Sequence, residues 1–229
     1  LANVTHPVDY GDELGWNYEL RKSLSDTWSL ALNAARTSQA NEDGSGILPE
    51  HDLRFNPWQE YYAEFEYSGS AFYQRFLIAY TQSVLSGETA AEVFDHITLV
   101  PAYLSWHPNN QLVLSAVAEF QSTKVHTQVY DGDALGSHNF SSGHFIASAD
   151  LNHIYSASLI WDTSDDPGLE GAKGESQNWL SGEVSLKPLD NLWIRASYGK
   201  EKGGVRCTGG VCRILNPFEG YRMMLEWRL

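Results

Sequence analysis

The stretch that decides the fold is the last one, Tyr221-Arg222-Met223-Met224-Leu225-Glu226-Trp227-Arg228-Leu229. Tyr221, Met223, Leu225, Trp227 and Leu229 share one face of an extended chain, and Arg222, Met224, Glu226 and Arg228 share the other, because side chains alternate sides along a strand. Charges at three of four positions exclude a dry core on the second face. A strand that is apolar on one side and charged on the other fits a wall between hydrocarbon and water.

The same pattern recurs upstream. In 14–21, Leu14, Trp16, Tyr18 and Leu20 oppose Gly15, Asn17, Glu19 and Arg21. In 58–67, Tyr61, Ala63, Phe65 and Tyr67 alternate with Glu60, Tyr62, Glu64 and Glu66, an arrangement that is costly unless the second face meets water. Period-two segments also fall at 27–35, 72–82, 96–106, 111–120, 144–150, 153–162, 179–187 and 191–200, and no segment sustains a 3.6-residue apolar stripe. The reading is all-β, with about eleven strands of an antiparallel up-and-down transmembrane β-barrel. Pro101 cannot donate to a ladder, so 96–106 is expected to carry a bulge or distortion.

The connections sort by length. Short ones fall at 23–26, 68–71, 108–111, 151–153 and 188–191, and long, Gly- and Asp-rich ones at 38–57, 84–95, 122–142, 164–176 and 201–217. Outer-membrane barrels place short turns in the periplasm and long loops outside the cell. Trp28, Trp106, Trp193 and Trp227 fall near the short-turn ends, and Trp16, Trp58, Trp161 and Trp179 near the long-loop ends, so all eight are candidates for two interfacial girdles. Tryptophan is also common in β-proteins generally.

Eleven strands and a periplasmic carboxy terminus make the first strand, 12–22, run inward from the extracellular side. Single-chain bacterial barrels have even strand numbers. The expectation is that 1–229 is one β-barrel domain or the carboxy-terminal portion of one, with upstream strands missing or supplied by another chain. The alternative is an uncounted strand in 1–11 or in Val125 to Tyr130.

Composition is compatible with this. Apolar residues make up 42% of the 229 and charged residues 19%, and the mean hydropathy is −0.35. Those values suit a soluble domain, but alternation gives a spanning barrel the same average. No stretch approaches the roughly 20 apolar residues of a transmembrane helix. Fifteen basic residues against 29 acidic ones exclude nucleic acid, which needs clustered Lys and Arg.

Cys207 and Cys212, the two cysteines, lie in a glycine-rich stretch and read as a disulfide closing a small loop outside the cytosol. A metal site is the weaker alternative, since two thiolates with no nearby His supply half of a tetrahedral shell.

The run Arg206-Cys207-Thr208-Gly209-Gly210-Val211-Cys212-Arg213-Ile214-Leu215-Asn216-Pro217, followed by a glycine-led amphipathic strand, resembles a family of uncharacterised Bacteroidota-type outer-membrane proteins. Their barrels carry a similar Cys-x-x-x-x-Cys-Arg loop before the last strand. The motif covers about the last 25 residues. The resemblance implies an outer-membrane location, and a longer protein than this chain, but no reaction. The final strand is similar to the signal read by the barrel-assembly machinery, although it ends in Leu229 with the aromatic Trp227 two places earlier.

Candidate chemistry is sparse. Ser142 and His144, with His138, Asn139 and Ser141 nearby, loosely resemble the inventory of barrel phospholipases, in the wrong order. Asp131 and Asp133 with His126 and His138 resemble the acidic and His groups of barrel proteases, although Asp-Gly is also a turn dipeptide. Asp162, Asp165 and Asp166 lack calcium-loop spacing. Neither a nucleotide-binding glycine motif nor a haem attachment motif is present, and no cofactor is expected.

The inward charges are more informative: Glu19, Arg21, Glu60, Glu64, Glu66, Arg75, Glu119, Asp150, Glu183, Lys187, Arg195, Arg222 and Glu226 read as lumen-facing. They can stiffen a barrel by pairing, or sort solutes. The expectation is an integral outer-membrane barrel, not an enzyme, serving as a channel or as a scaffold. Its partners are outer-membrane lipid and a further chain that completes or plugs the wall. A barrel hydrolase acting on lipid or peptide and a soluble β-barrel binder are the alternatives.

Overall fold

The computed structural model describes residues 13–39, 48, 52–130, 134–167, 176–189, 191–202, 204–208, 211–215 and 217–227. Thirteen strands follow the chain: β1 (Glu13–Ser23), β2 (Trp28–Gln39), β3 (Trp58–Ser68), β4 (Phe72–Ser86), β5 (Ala90–Asn109), β6 (Leu112–Val129), β7 (Ala134–Leu151), β8 (Tyr155–Ser164), β9 (Gln177–Leu189), β10 (Leu192–Glu201), β11 (Gly204–Thr208), β12 (Val211–Leu215) and β13 (Phe218–Trp227). Eleven of them form one antiparallel meander in the order β1 to β10 and then β13. β11 and β12 form a separate hairpin inside the last long connection.

The sheet is open. Among the described residues β1 pairs only with β2, and β13 only with β10, so the expected closed barrel is corrected to an open eleven-stranded sheet. Since strands alternate in direction, β1 and β13 run in the same sense and could not pair antiparallel with each other.

Two expected loops are strand. The segments 84–95 and 122–142 shrink to connections at 87–89 and 130–133, because β4, β5, β6 and β7 extend to 15, 20, 18 and 18 residues. A membrane-crossing strand needs about 9–11 residues, so this group projects well past the other strands. Its upper part carries polar residues on both faces, such as Thr123, Lys124, Thr127 and Gln128, and such a composition has no strand-like alternation. The connections at the other end are short, at 24–27, 69–71, 110–111, 152–154 and 190–191. At one of them Asn152 (φ 56°) and His153 (φ 57°) are both left-handed, the twist that a two-residue hairpin requires.

Pro101 lies in the distortion expected of it. The β4–β5 register shifts between Arg75 and Leu77, and the β5–β6 register between Leu99 and Ala102. The extra residue absorbs the missing amide donor and keeps Ala102, Leu104 and Trp106 on the face that Leu99 occupies.

Among the described residues ten apolar ones are buried, eight of them Ala or Val, while 26 large apolar ones are exposed. A two-layer soluble domain of this length would show the reverse. Among the described residues a buried apolar cluster, Val84, Ala91 and Val93, sits on the projecting part, where Leu53 and Tyr130 pack against it. Arg54, in the short 3-10 turn Leu53–Phe55, lies 4.7 Å from the Tyr130 ring centre. Asn56 Oδ1 accepts the Ser86 amide at 2.7 Å. Leu53, Arg54 and Asn56 therefore pack against one face of the projection above the single-layer sheet.

Candidate functional site

The register sorts every side chain of the sheet onto one of two faces. Following the pairs Leu20↔Leu32, Leu32↔Ala63, Ala63↔Ile78, Ile78↔Leu99, Leu99↔Phe120, Phe120↔Gly143 and Gly143↔Thr163 tracks one face across eight strands. Trp161↔Leu180, Val184↔Ala196 and Ala196↔Met223 carry it to β13. On this face β6 presents Leu112, Leu114, Ala116, Ala118 and Phe120, β8 presents Tyr155, Ala157, Leu159 and Trp161, and β13 presents Tyr221, Met223, Leu225 and Trp227.

The result is an apolar belt across all eleven strands. No Asp, Glu, Lys or Arg falls on it between its margins. On the long-connection side it is bounded by Arg36, Gln59, Gln82, Asp95, Lys124, Lys200 and Glu219, and on β1 by Lys22 at the other end. Leu112–Phe120 spans about 30 Å along the strand at about 3.4 Å per residue. Just above the belt Tyr80 and Gln82 both donate to Asp95 Oδ1 at 2.7 Å, and Gln59 donates to Gln82 at 3.0 Å. These polar groups satisfy one another at the margin of the belt, and Gln74 stands on the same face nearer the short-turn end.

Five of the eight tryptophans stand on the belt face, at its margins: Trp28, Trp106 and Trp227 at the short-turn end, Trp16 and Trp161 at the other. Trp58, Trp179 and Trp193 stand on the opposite face by register, so they are removed from the expected girdles. Trp179 is buried under the Lys202 ammonium at 5.5 Å, and Trp193 lies 5.1 Å from that of Lys187. Proximity to a strand end does not report which way a residue points; parity does.

The second face is polar. The register places Glu19, Arg21, Glu60, Glu64, Glu66, Arg75, Glu119, Asp150, Glu183, Lys187, Arg195, Arg222 and Glu226 on it together. Arg21 bonds Glu19 at 2.6 Å, and the Tyr62 hydroxyl donates to the same carboxylate at 2.8 Å. Arg75 meets Glu64 at 2.5 Å, both largely withdrawn from solvent, and Arg222 meets Glu201 at 3.2 Å. The Asn33 amide donates to the buried Glu60 at 3.0 Å. On β6 to β9 the face is lined by small hydroxyls, with Ser115 against Ser148 at 2.6 Å and Ser156 against Ser185 at 2.5 Å.

Glu201 and Asp162 belong to this face too, and sequence reasoning did not single them out as inward charges. Both lie at strand ends, and the parity of Arg195 on β10 and of Ser158 on β8 would have found them.

The structure brings part of the candidate chemistry together. His144 Nδ1 bonds Asp162 across β7 and β8, and Ser142 stands opposite Ser164. Among the described residues no hydroxyl bonds the His144 ring. His126 and His138 fall on opposite faces, which separates the protease-like set; Asp131 and Asp133 lie outside the described residues. Asp165 accepts the Ser141 amide, tying down the start of the β8–β9 connection. No cluster of three or more His, Cys, Asp or Glu that could hold a metal occurs among the described residues. The backbone pairs Cys207 with Cys212 across the β11–β12 hairpin, and their side chains lie outside what is described.

No family model, curated protein or solved structure matches the chain. The functional reading therefore rests on the geometry of the two faces.

Proposed function

We propose that this chain is the wall of an integral β-barrel in a bacterial outer membrane, with the belt face in hydrocarbon and the charged face lining a water-filled passage. The observation that carries the reading is the belt itself. An apolar surface without a charge, continuous over eleven strands and about one bilayer core thick, is stable only against lipid or a second apolar layer, and no second layer covers it among the described residues. The face behind it has the opposite character, carrying ion pairs and serine pairs that favour water.

In hydrocarbon the free edges of β1 and β13 need partners, because unpaired backbone groups there are costly. We propose that further antiparallel strands, odd in number because β1 and β13 run in the same sense, complete the wall. The short turns would face the periplasm, and the projecting part of β4 to β7 would stand outside the cell. A channel is favoured over a plugged scaffold by the small serine side chains over β6 to β9, which leave the interior open on that side. Cys207 and Cys212, on paired positions in an external hairpin, would form a disulfide, as a directly opposed pair allows.

Washing membranes with high salt and alkaline carbonate tests the location. The protein is expected to stay in the membrane fraction until detergent is added, and the detergent extract is expected to gain free thiols only after reduction. Release by salt or carbonate alone would refute the membrane reading in favour of a soluble binder.

A further inference from the structure

Resting on the passage proposed above, we infer that its wall prefers cations over anions. The cationic residues on the inner face of the described strands are Arg21, Arg75, Lys187, Arg195 and Arg222, with Lys202 just beyond the end of β10. Three of them are neutralised in place, by Glu19, Glu64 and Glu201, and Lys187 lies over the Trp193 ring. On the acidic side Glu66, Glu119, Asp150 and Glu183 have no ion-pair partner among the described residues. They are carried by four different strands, β3, β6, β7 and β9, and all are partly solvent-accessible. Against them stand Arg195, which has no ion pair among the described residues, and the ammonium groups of Lys187 and Lys202, which keep their charge over the Trp193 and Trp179 rings, so the unneutralised carboxylates still outnumber the cations.

The excess is therefore a property of the whole wall and defines no single binding site. Glu66 and Asp150 stand close to the short-turn ends of their strands, while Glu119 and Glu183 lie further along. A permeating ion meets negative charge at the rim and again inside. Charges on a low-dielectric wall concentrate counter-ions and repel co-ions. Because the Debye length is about 10 Å at 0.1 M salt and about 3 Å at 1 M, the preference should weaken as salt rises.

The test uses the complete detergent-extracted assembly in planar bilayers under a KCl gradient near 0.1 M. The expected permeability ratio of potassium over chloride is roughly three or more. It should fall at least about twofold in the pair Glu119→Gln and Glu183→Gln, and likewise in the pair Glu66→Gln and Asp150→Asn, should the first pair not assemble. Glu88→Gln, in the connection between β4 and β5, should leave the ratio unchanged. Current with a ratio at or below one, or a ratio indifferent to both pairs, overturns the cation preference and leaves the passage standing. Absence of any current through folded assemblies overturns the passage and the preference together.

Discussion

On the proposed lipid-facing belt, replacing Ala116 with Arg is expected to destabilise the protein in a bilayer by about 2–4 kcal/mol, the cost of a cationic side chain at the bilayer midplane of a barrel. Ala116 lies at the centre of Leu112–Phe120 and is flanked by Leu104 on β5 and Ala147 on β7, both on the belt face. No acidic residue shares that face near it, so the guanidinium has only a long climb to the interface. Val117→Arg, one residue further, is expected to cost less than about 1 kcal/mol, because it points to the charged face. Urea unfolding from vesicles reads both values. An equal cost at the two positions would mean that the faces are not differently solvated.

The second large effect is expected at Arg75. Its Nε meets Glu64 Oε2 at 2.5 Å, with side-chain exposures of 23% and 11%. Arg75→Ala leaves the withdrawn Glu64 carboxylate without its cation, and such half-removals of a sheltered pair are expected to cost about 2–4 kcal/mol here, below the fully buried range because both side chains keep some exposure. Arg75→Met combined with Glu64→Gln removes both charges and keeps the volume. It should recover much of the loss, leaving a coupling of about 1–3 kcal/mol in a double-mutant cycle. Arg21 and Glu19 are a useful contrast. With the arginine side chain 65% exposed, that pair should contribute little, because water screens it.

Much of this wall was legible from parity. In β13 and β3 the alternation of Tyr221, Met223, Leu225 and Trp227 with Arg222 and Glu226, and of Tyr61 and Phe65 with Glu60 and Glu64, assigns both faces without coordinates. An apolar face on one side and a charged face on the other leave few other residues possible. The projecting parts of β4 to β7 were not legible. Where Thr123, Lys124, Thr127 and Gln128 continue β6, neither face is strictly apolar and the pattern disappears, although the backbone ladder does not. Trp58, Trp179 and Trp193 mislead in another way. Their rings sit near strand ends, as girdle residues do, but pack under or beside Lys202 and Lys187 or stand on the charged face. The open edges were legible only through the odd strand count, since pairing of β1 and β13 is a long-range matter that local alternation does not encode.

The His144–Asp162 pair shows how far composition and contact can diverge. Ser142, His144 and Asp162 form the inventory of a hydrolytic triad, and the register gathers them within two neighbouring strands. What the arrangement lacks among the described residues is a hydroxyl bonded to the imidazole. A charged partner for the ring on a wetted wall is sufficient reason for the contact.

The most direct measurement of the two-faced wall is a nitroxide scan along β6, one residue at a time from Leu112 to Phe120, in vesicles, comparing relaxation by oxygen with relaxation by a water-soluble nickel chelate. The expected result is strict period-two alternation, with oxygen dominant at positions 112, 114, 116, 118 and 120 and the chelate dominant at 113, 115, 117 and 119. Chelate access at all nine positions, or alternation without any oxygen enrichment on the apolar set, would contradict a lipid-facing belt.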